Sequence, residues 1–309
     1  MRQGEVAPKG TWTGGLPGGV KAPDALILPD PATRFSRTAA RLESLSAGHP
    51  MAAWLRFMAR LAEAQHAVAG TMRPLAGPDR AAVEQAVDAR LPPLAADGHR
   101  LDPKWRDGLV LLLDGLNASA IPAPARMAME SLRDRGIEGV EALADGFLHG
   151  CVDTADAGAA LYVAAALQVY FTRLAAALPA PSLRLLPQRG LCPCCGSTPV
   201  SGVVTQSRQT RGARYLHCSL CSTAWNHVRA VCITCGQSRS VALKGIEGDS
   251  GAVKAETCND CHTYAKLLYQ AHDMKVDPVA DDLATLGLDV LVAEAGWSRH
   301  APNPLLLAG

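Results

Sequence analysis

The chain lacks most of the features that would assign it quickly. It lacks excess charge: 30 Lys and Arg against 29 Asp and Glu leave +1 over 309 residues. No global field therefore draws it to nucleic acid or to an anionic membrane. Its opening, MRQGEVAPKGTWTGGLPGG, has no apolar core of the kind a signal peptide carries, so none is expected. Its most apolar run, residues 157–171, is shorter than the ~20 residues of a membrane span, and no membrane insertion is expected. A Ser/His/Asp order, a paired-carboxylate motif, a P-loop and a G-x-G-x-x-G are all missing, so the expectation is a protein that is not an enzyme. What remains is ample apolar material, 48%, which excludes wholesale disorder and suits one large or two modest domains.

Strand signals are also scarce before residue 180. Residues 1–23 are Gly- and Pro-rich and read as a flexible arm. Asp30-Pro31 predicts a cap followed by Pro in the first helical turn, with Phe35, Leu42 and Leu45 inward. His49-Pro50 breaks that helix, and Trp54, Leu55, Met58, Leu61 and Ala62 make the apolar stripe of the next. Further helices are expected over 78–91, 103–118, 123–135, 137–149 and 153–178, with Gly136, Gly150 and the Pro179/Pro181 pair as stops. The last of these is apolar nearly all round and reads as the central helix of a bundle. The expectation is an all-α helical bundle over 24–185 that carries its own core.

After the linker PAPSLRLLPQRG the composition changes. Short alternating runs such as PVSGVVTQ and ARYLHC read as strands, and a helix over 278–297 follows, with Val279, Leu283, Leu286 and Val290 on one face. Nine of the ten cysteines fall between Cys192 and Cys261. Eight form C-x2-C pairs: Cys192/Cys195, Cys218/Cys221, Cys232/Cys235 and Cys258/Cys261. Adding 40 to each of the first four numbers gives the second four, and each half has the same 22-residue gap between its pairs. This is an internal repeat. Its spacing is that of a tetrathiolate metal site. Gly196 and Gly236, directly after the leading pair of each half, allow the positive φ that such a knuckle requires. Each ~40-residue half is too small to fold on an apolar core alone, so a bound ion is expected to supply the difference. Two metal ions per chain are expected, zinc or iron, one per half. A cross-braced pairing, with the first and third pairs sharing an ion, is the alternative that spacing leaves open.

The leftover residues have plainer readings. Cys194 is a passive thiol inside the first knuckle. His217 and His262 flank ligand cysteines and are expected beside the metal or in solvent rather than on it. Cys151 is expected to be a small buried hydrophobe. The first half, 192–231, has four arginines and no acid, while the second, 232–271, has four residues of each sign. Arg208, Arg211 and Arg214 thus suggest a basic hairpin for docking a partner, or a zinc-ribbon nucleic-acid-binding surface. A rubredoxin-type redox protein is a third reading, since iron–thiolate geometry permits electron transfer.

The segments RYLHCSLCSTAW, CITCG, KAETCNDCHTYAKLLYQ and VADDLATLGLDVLVAEAGW resemble the FdhE family of formate dehydrogenase accessory proteins. So does RLESLSAGHPMAAWLRFMARLAEAQ near the start, and the resemblance runs from about Phe35 to Leu307. The first knuckle departs from it by carrying Cys194 where a non-cysteine is usual, and residues 1–23 match nothing in it. The resemblance implies a cytoplasmic maturation protein that binds the catalytic subunit of formate dehydrogenase before export, with no nucleic acid as partner. It implies iron in a rubredoxin-like region, held by Cys192, Cys195, Cys218, Cys221, Cys232, Cys235, Cys258 and Cys261, and no catalytic residue. The expected architecture is a helical domain (24–185), two tandem rubredoxin-like, zinc-ribbon-like modules (186–231 and 232–275) and a C-terminal helix and tail (276–309).

Overall fold

The structure, a computed structural model, describes residues 22–117, 120–207 and 211–306. Nearly all of the expected arm and Arg208 lie outside them. The described chain opens with a two-residue strand, β1 (Leu26–Ile27), inside the segment expected to be all-α. Asp30 then bends the chain. Its carboxylate accepts from the Ala32 backbone N–H (3.0 Å) and the Thr33 hydroxyl (2.7 Å). It therefore caps a turn at 31–33, and α1 (Arg34–Ser46) starts just beyond, three residues later than expected.

The helices follow the apolar periodicity: α2 (Ala52–Thr71), α3 (Arg80–Asp88), α4 (Lys104–Asn117), α5 (Ala123–Asp134), α6 (Gly136–Leu148) and α7 (Ala157–Ala176). Asp79 caps α3 by accepting from the Ala82 N–H at 2.8 Å. Gly136 and Gly150 carry positive φ at the two ends of α6. The centre is α7, against which α2, α4, α5 and α6 pack. With the turn before it, it is long and apolar enough to cross a membrane by composition, yet 83% of its most apolar 18-residue window is buried inside the protein. Alanines at 157, 159, 160 and 164–166 keep the first half of α7 slim enough for its neighbours to approach closely. Cys151, in the turn before α7, is exposed, contrary to the expectation of burial.

Beyond the linker each 40-residue half makes a three-stranded antiparallel unit. The first is β2 (Pro199–Val204), β3 (Arg214–Cys218) and β4 (Ala224–Asn226). The second is β5 (Val241–Lys244), β6 (Val253–Cys258) and β7 (Thr263–Tyr269). They join into one mixed sheet, ordered β1-β4-β3-β2-β7-β6-β5, because β2 pairs in parallel with β7 through Gly202↔Leu267. A Cβ on Gly202 would lie 2.7 Å from the Leu267 side chain and 3.3 Å from that of Leu216, so any larger residue at the seam must displace those leucine methyls.

The C-terminal segment is not the single helix expected over 278–297. It forms α8 (Ala280–Ala284) and α9 (Leu286–Glu294), interrupted at Thr285, whose hydroxyl turns back onto the Asp281 carbonyl (2.7 Å). The break rotates α9, so Leu288 and Val292 are buried and Val290 is 56% exposed. Buried Lys266 of β7 fixes the junction: its ammonium lies 2.5 Å from Asp289 and 3.3 Å from Asp282 and donates to the Asp282 and Thr285 carbonyls. The last strand is β8 (Ser298–Arg299), parallel to β7.

The helical core does not stop at the linker. One apolar cluster runs from α1, α2, α4 and α7 into Cys192, Cys194, Cys195, Val200, Leu216, Cys221 and Trp225. A second, smaller cluster, with Val253, Tyr264, Leu268 and Leu288, underlies the other half of the sheet.

Candidate metal centres

The knuckles take their shape from local backbone chemistry. Gly196 (φ +78°) and Gly236 (φ +75°) occupy the left-handed region directly after the leading pairs, as their positions predict. After the trailing pairs the same region is taken by Ser222 (φ +61°) and His262 (φ +52°), which are also 40 apart. His262 is thus a turn residue, exposed and outside both sulfur groups. His217 is outside them as well; burial, with the Arg34 guanidinium adding to it against the pull of Asp277, brings its ring down to about 4.

These turns gather eight sulfurs into two groups: Cys192, Cys195, Cys218 and Cys221, and Cys232, Cys235, Cys258 and Cys261. Each half supplies its own four, so the cross-braced arrangement is not the one formed. Within each group all sulfurs lie within 4.8 Å of one another. The shortest separations are 3.5 Å (Cys192–Cys221) and 3.4 Å (Cys195–Cys218) in the first, and 3.6 Å (Cys232–Cys261) and 3.7 Å (Cys235–Cys258) in the second. A tetrahedron with metal–sulfur bonds of ~2.3 Å has edges of ~3.8 Å, so both groups match a tetrathiolate ion. Backbone donors point the same way. The N–H groups of Cys194 and Thr234 approach the Cys192 and Cys232 sulfurs at 3.4 Å, and those of Leu220 and Cys221 approach Cys218 at 3.4 and 3.3 Å. Such donors favour thiolate over thiol.

Electrostatics supports a cation between the sulfurs. Burial, reinforced by neighbouring sulfurs, pushes the Cys192 thiol well up. Burial also opposes ionisation of Cys232, but the backbone N–H groups of Cys235 and Thr234 and the neighbouring thiols outweigh it and bring that thiol to about 7. Four sulfurs this close cannot all ionise on their own, and a divalent ion resolves the conflict.

The two groups differ in exposure. All four cysteines of the first are at most 2% exposed. In the second, Cys235 is exposed and Cys261 half-buried. The helical domain closes over the first: in the loop between α3 and α4, the backbone N–H groups of Leu94 and Ala96 donate to the Cys194 and Cys195 carbonyls, both at 2.8 Å. Gln168 of α7 donates to the Ser219 carbonyl at 2.8 Å and accepts from Gln65 at 3.0 Å. Cys194 fills this interface, fully buried, with Thr234 at the equivalent position of the second half.

A family model described as FdhE, N-terminal, matches residues 23–187; the FdhE central domain matches 191–229 and the FdhE C-terminal domain 230–306. The chain belongs to the FdhE family. A protein FdhE homolog of Edwardsiella ictaluri is 39% identical over 285 residues, 92% of each chain. Protein FdhE of Salmonella choleraesuis is 36% identical over 92% of this chain and 91% of its own. The crystal structure of the FdhE protein from Pseudomonas aeruginosa, 34% identical, matches with a TM-score of 0.80 over 91% of this chain and 98% of that one.

The basic hairpin is corrected by the structure. Arg211 is exposed, but Arg214 is 1% exposed and its guanidinium lies 2.8 Å from Glu256. Arg214 belongs to β3 and Glu256 to β6, so the pair ties the two halves together beneath the sheet. Sequence reasoning treated Arg214 as surface because it counted charge by segment and could not see a partner 42 residues away. It also passed over two threonines. Thr223 and Thr263 follow the last cysteine of each half by two, and each hydroxyl lies 3.1 Å from that cysteine's sulfur. The 40-residue register contains that signal.

Proposed function

We propose that this protein is an accessory factor for formate dehydrogenase maturation and is not itself an enzyme. Membership of the FdhE family over 92% of the chain carries this reading. Each sulfur group holds one metal ion, the first through Cys192, Cys195, Cys218 and Cys221, the second through Cys232, Cys235, Cys258 and Cys261. Iron is favoured by family resemblance, with zinc the other candidate. Four thiolates fill a tetrahedral ion and leave no position for substrate, so the ions act as scaffold for two rubredoxin-like modules (186–231 and 232–275) between the helical domain (24–185) and the tail (276–309). The protein works in the cytoplasm and binds the catalytic subunit of formate dehydrogenase before export. Burial of Arg214 shrinks the basic ribbon and weakens the nucleic-acid alternative. The exposed edge of the second group favours one competing reading, electron exchange through an iron–thiolate centre.

The test is capture of the purified catalytic subunit by the metal-loaded full chain, beside elemental analysis and a visible spectrum. Capture with two ions per chain supports the proposal. Absence of capture overturns it, and a red protein whose colour bleaches reversibly on reduction promotes the redox reading.

A further inference from the structure

The repeat relates the two sulfur groups, but their hydrogen-bonded surroundings differ. In the first, Thr223 meets the Cys221 sulfur, and position 194 holds a buried cysteine whose carbonyl accepts from Leu94 of the loop between α3 and α4. In the second, Thr263 meets the Cys261 sulfur at 3.1 Å, and the Thr263 hydroxyl lies 2.8 Å from that of Thr234. The Thr234 hydroxyl in turn lies 2.7 Å from Nδ1 of His300. His300 comes from the far end of the chain. It is brought here because Ser298 and His300 donate their backbone N–H groups to the His262 and Tyr264 carbonyls, both at 2.8 Å. A metal-bound thiolate can only accept, so polarity runs one way. Thr263 donates to sulfur, Thr234 donates to Thr263, and the ring donates from Nδ1 to Thr234. Nε2 is buried without a partner, which suits a neutral ring whose single proton is on Nδ1. Burial holds the ring below the ordinary histidine value, in the same sense.

We propose that His300 is a positioning residue for the second centre. Its Nδ1–H fixes the Thr234–Thr263 hydroxyl chain on the Cys261 sulfur, and the C-terminal strand thereby slows metal loss from the more exposed site. The tail does for the second centre what the helices do for the first. Partners beyond the ligands commonly change metal affinity ~10–100-fold, and a hydrogen bond to a thiolate lowers the charge it presents to the metal and to attacking water. The inference rests on the metal reading above.

The experiment follows zinc release from the two-zinc full chain to the chromogenic chelator 4-(2-pyridylazo)resorcinol, with Cys258→Ser identifying the second-centre phase. His300→Phe keeps the ring volume and removes the donor; it is expected to speed that phase ~10-fold and leave the first-centre phase unchanged. Thr234→Val removes the middle hydroxyl without changing shape and should do the same. His300→Asn, whose amide nitrogen reaches the place of Nδ1, should restore the slow rate. In cobalt-loaded protein the sulfur-to-metal absorption band should shift in His300→Phe and Thr234→Val but not in His300→Asn. Two bound ions with unchanged second-phase rates and unshifted bands in both variants would overturn this inference alone. A chain that binds no zinc or cobalt would overturn the metal reading and this inference with it.

Discussion

The two four-cysteine centres share a sequence register, a turn geometry and nearly the same sulfur separations, yet they sit in different media. The first is inside the main apolar core, its knuckle carbonyls bonded to the helical domain and all four sulfurs dry. The second lies at the edge of the molecule, with Cys235 exposed and its support coming from strands and tail. Duplication thus yields two like ligand sets, and the elements packed against them decide what each does. A metal site in a core is part of the fold's stability; one at an edge can lose its ion while the rest survives.

The sharpest way to break this comparison is to remove one ligand from each. Cys218→Ser leaves three thiolates around an under-coordinated ion inside the shared core. Structural metal binding is worth ~10–16 kcal/mol in small zinc modules and whole domains are stable by only ~5–15 kcal/mol, so the helices should lose cooperative folding too. Cys258→Ser should disable the second half and spare the helical circular dichroism. Equal loss of helical signal in both variants would show that the centres are not distinguished by their surroundings.

A smaller effect tests the joint between the halves. Arg214→Met strands the Glu256 carboxylate, which burial already pushes up against the pull of the guanidinium. Removing one partner of a buried pair costs about 3–5 kcal/mol, whereas replacing both with apolar groups costs much less. Denaturant midpoints of Arg214→Met, Glu256→Leu and the double variant should therefore show strong positive coupling; additive losses would mean that the pair does not join the halves. Smaller again is Gly202→Ala at the seam, where the added methyl displaces Leu267 or Leu216. About 1–3 kcal/mol is expected from such overpacking, and a variant as stable as the parent in thermal unfolding would show that β2 and β7 can separate freely.

Much of this was legible beforehand because the signals are local. Apolar periodicity marks α1 to α7, and the cysteine register marks four knuckles, two of them with a φ-permissive glycine, while leaving open which pairs share an ion. Capping and helix continuity were less legible, since Asp30 caps a turn rather than α1 and Lys266 holds a break at Thr285 that no residue of that helix announces. The misreading of Arg214 and the silence about His300 have one cause: their partners, Glu256 and Thr234, are 42 and 66 residues away in the chain, and segment composition carries no trace of them.

The sequence alone determined that there are four paired-cysteine knuckles, where they lie and that helices precede them, because knuckles and amphipathic helices are built from neighbours in the chain. Only the tertiary structure decided that each half gathers its own four cysteines, that one set is sealed and the other open, that the halves share a single sheet, and that a histidine 39 residues beyond the last cysteine reaches its sulfur through two threonines. Those properties depend on which surfaces meet after the chain folds, and burial and hydrogen-bond partnership are set at that step.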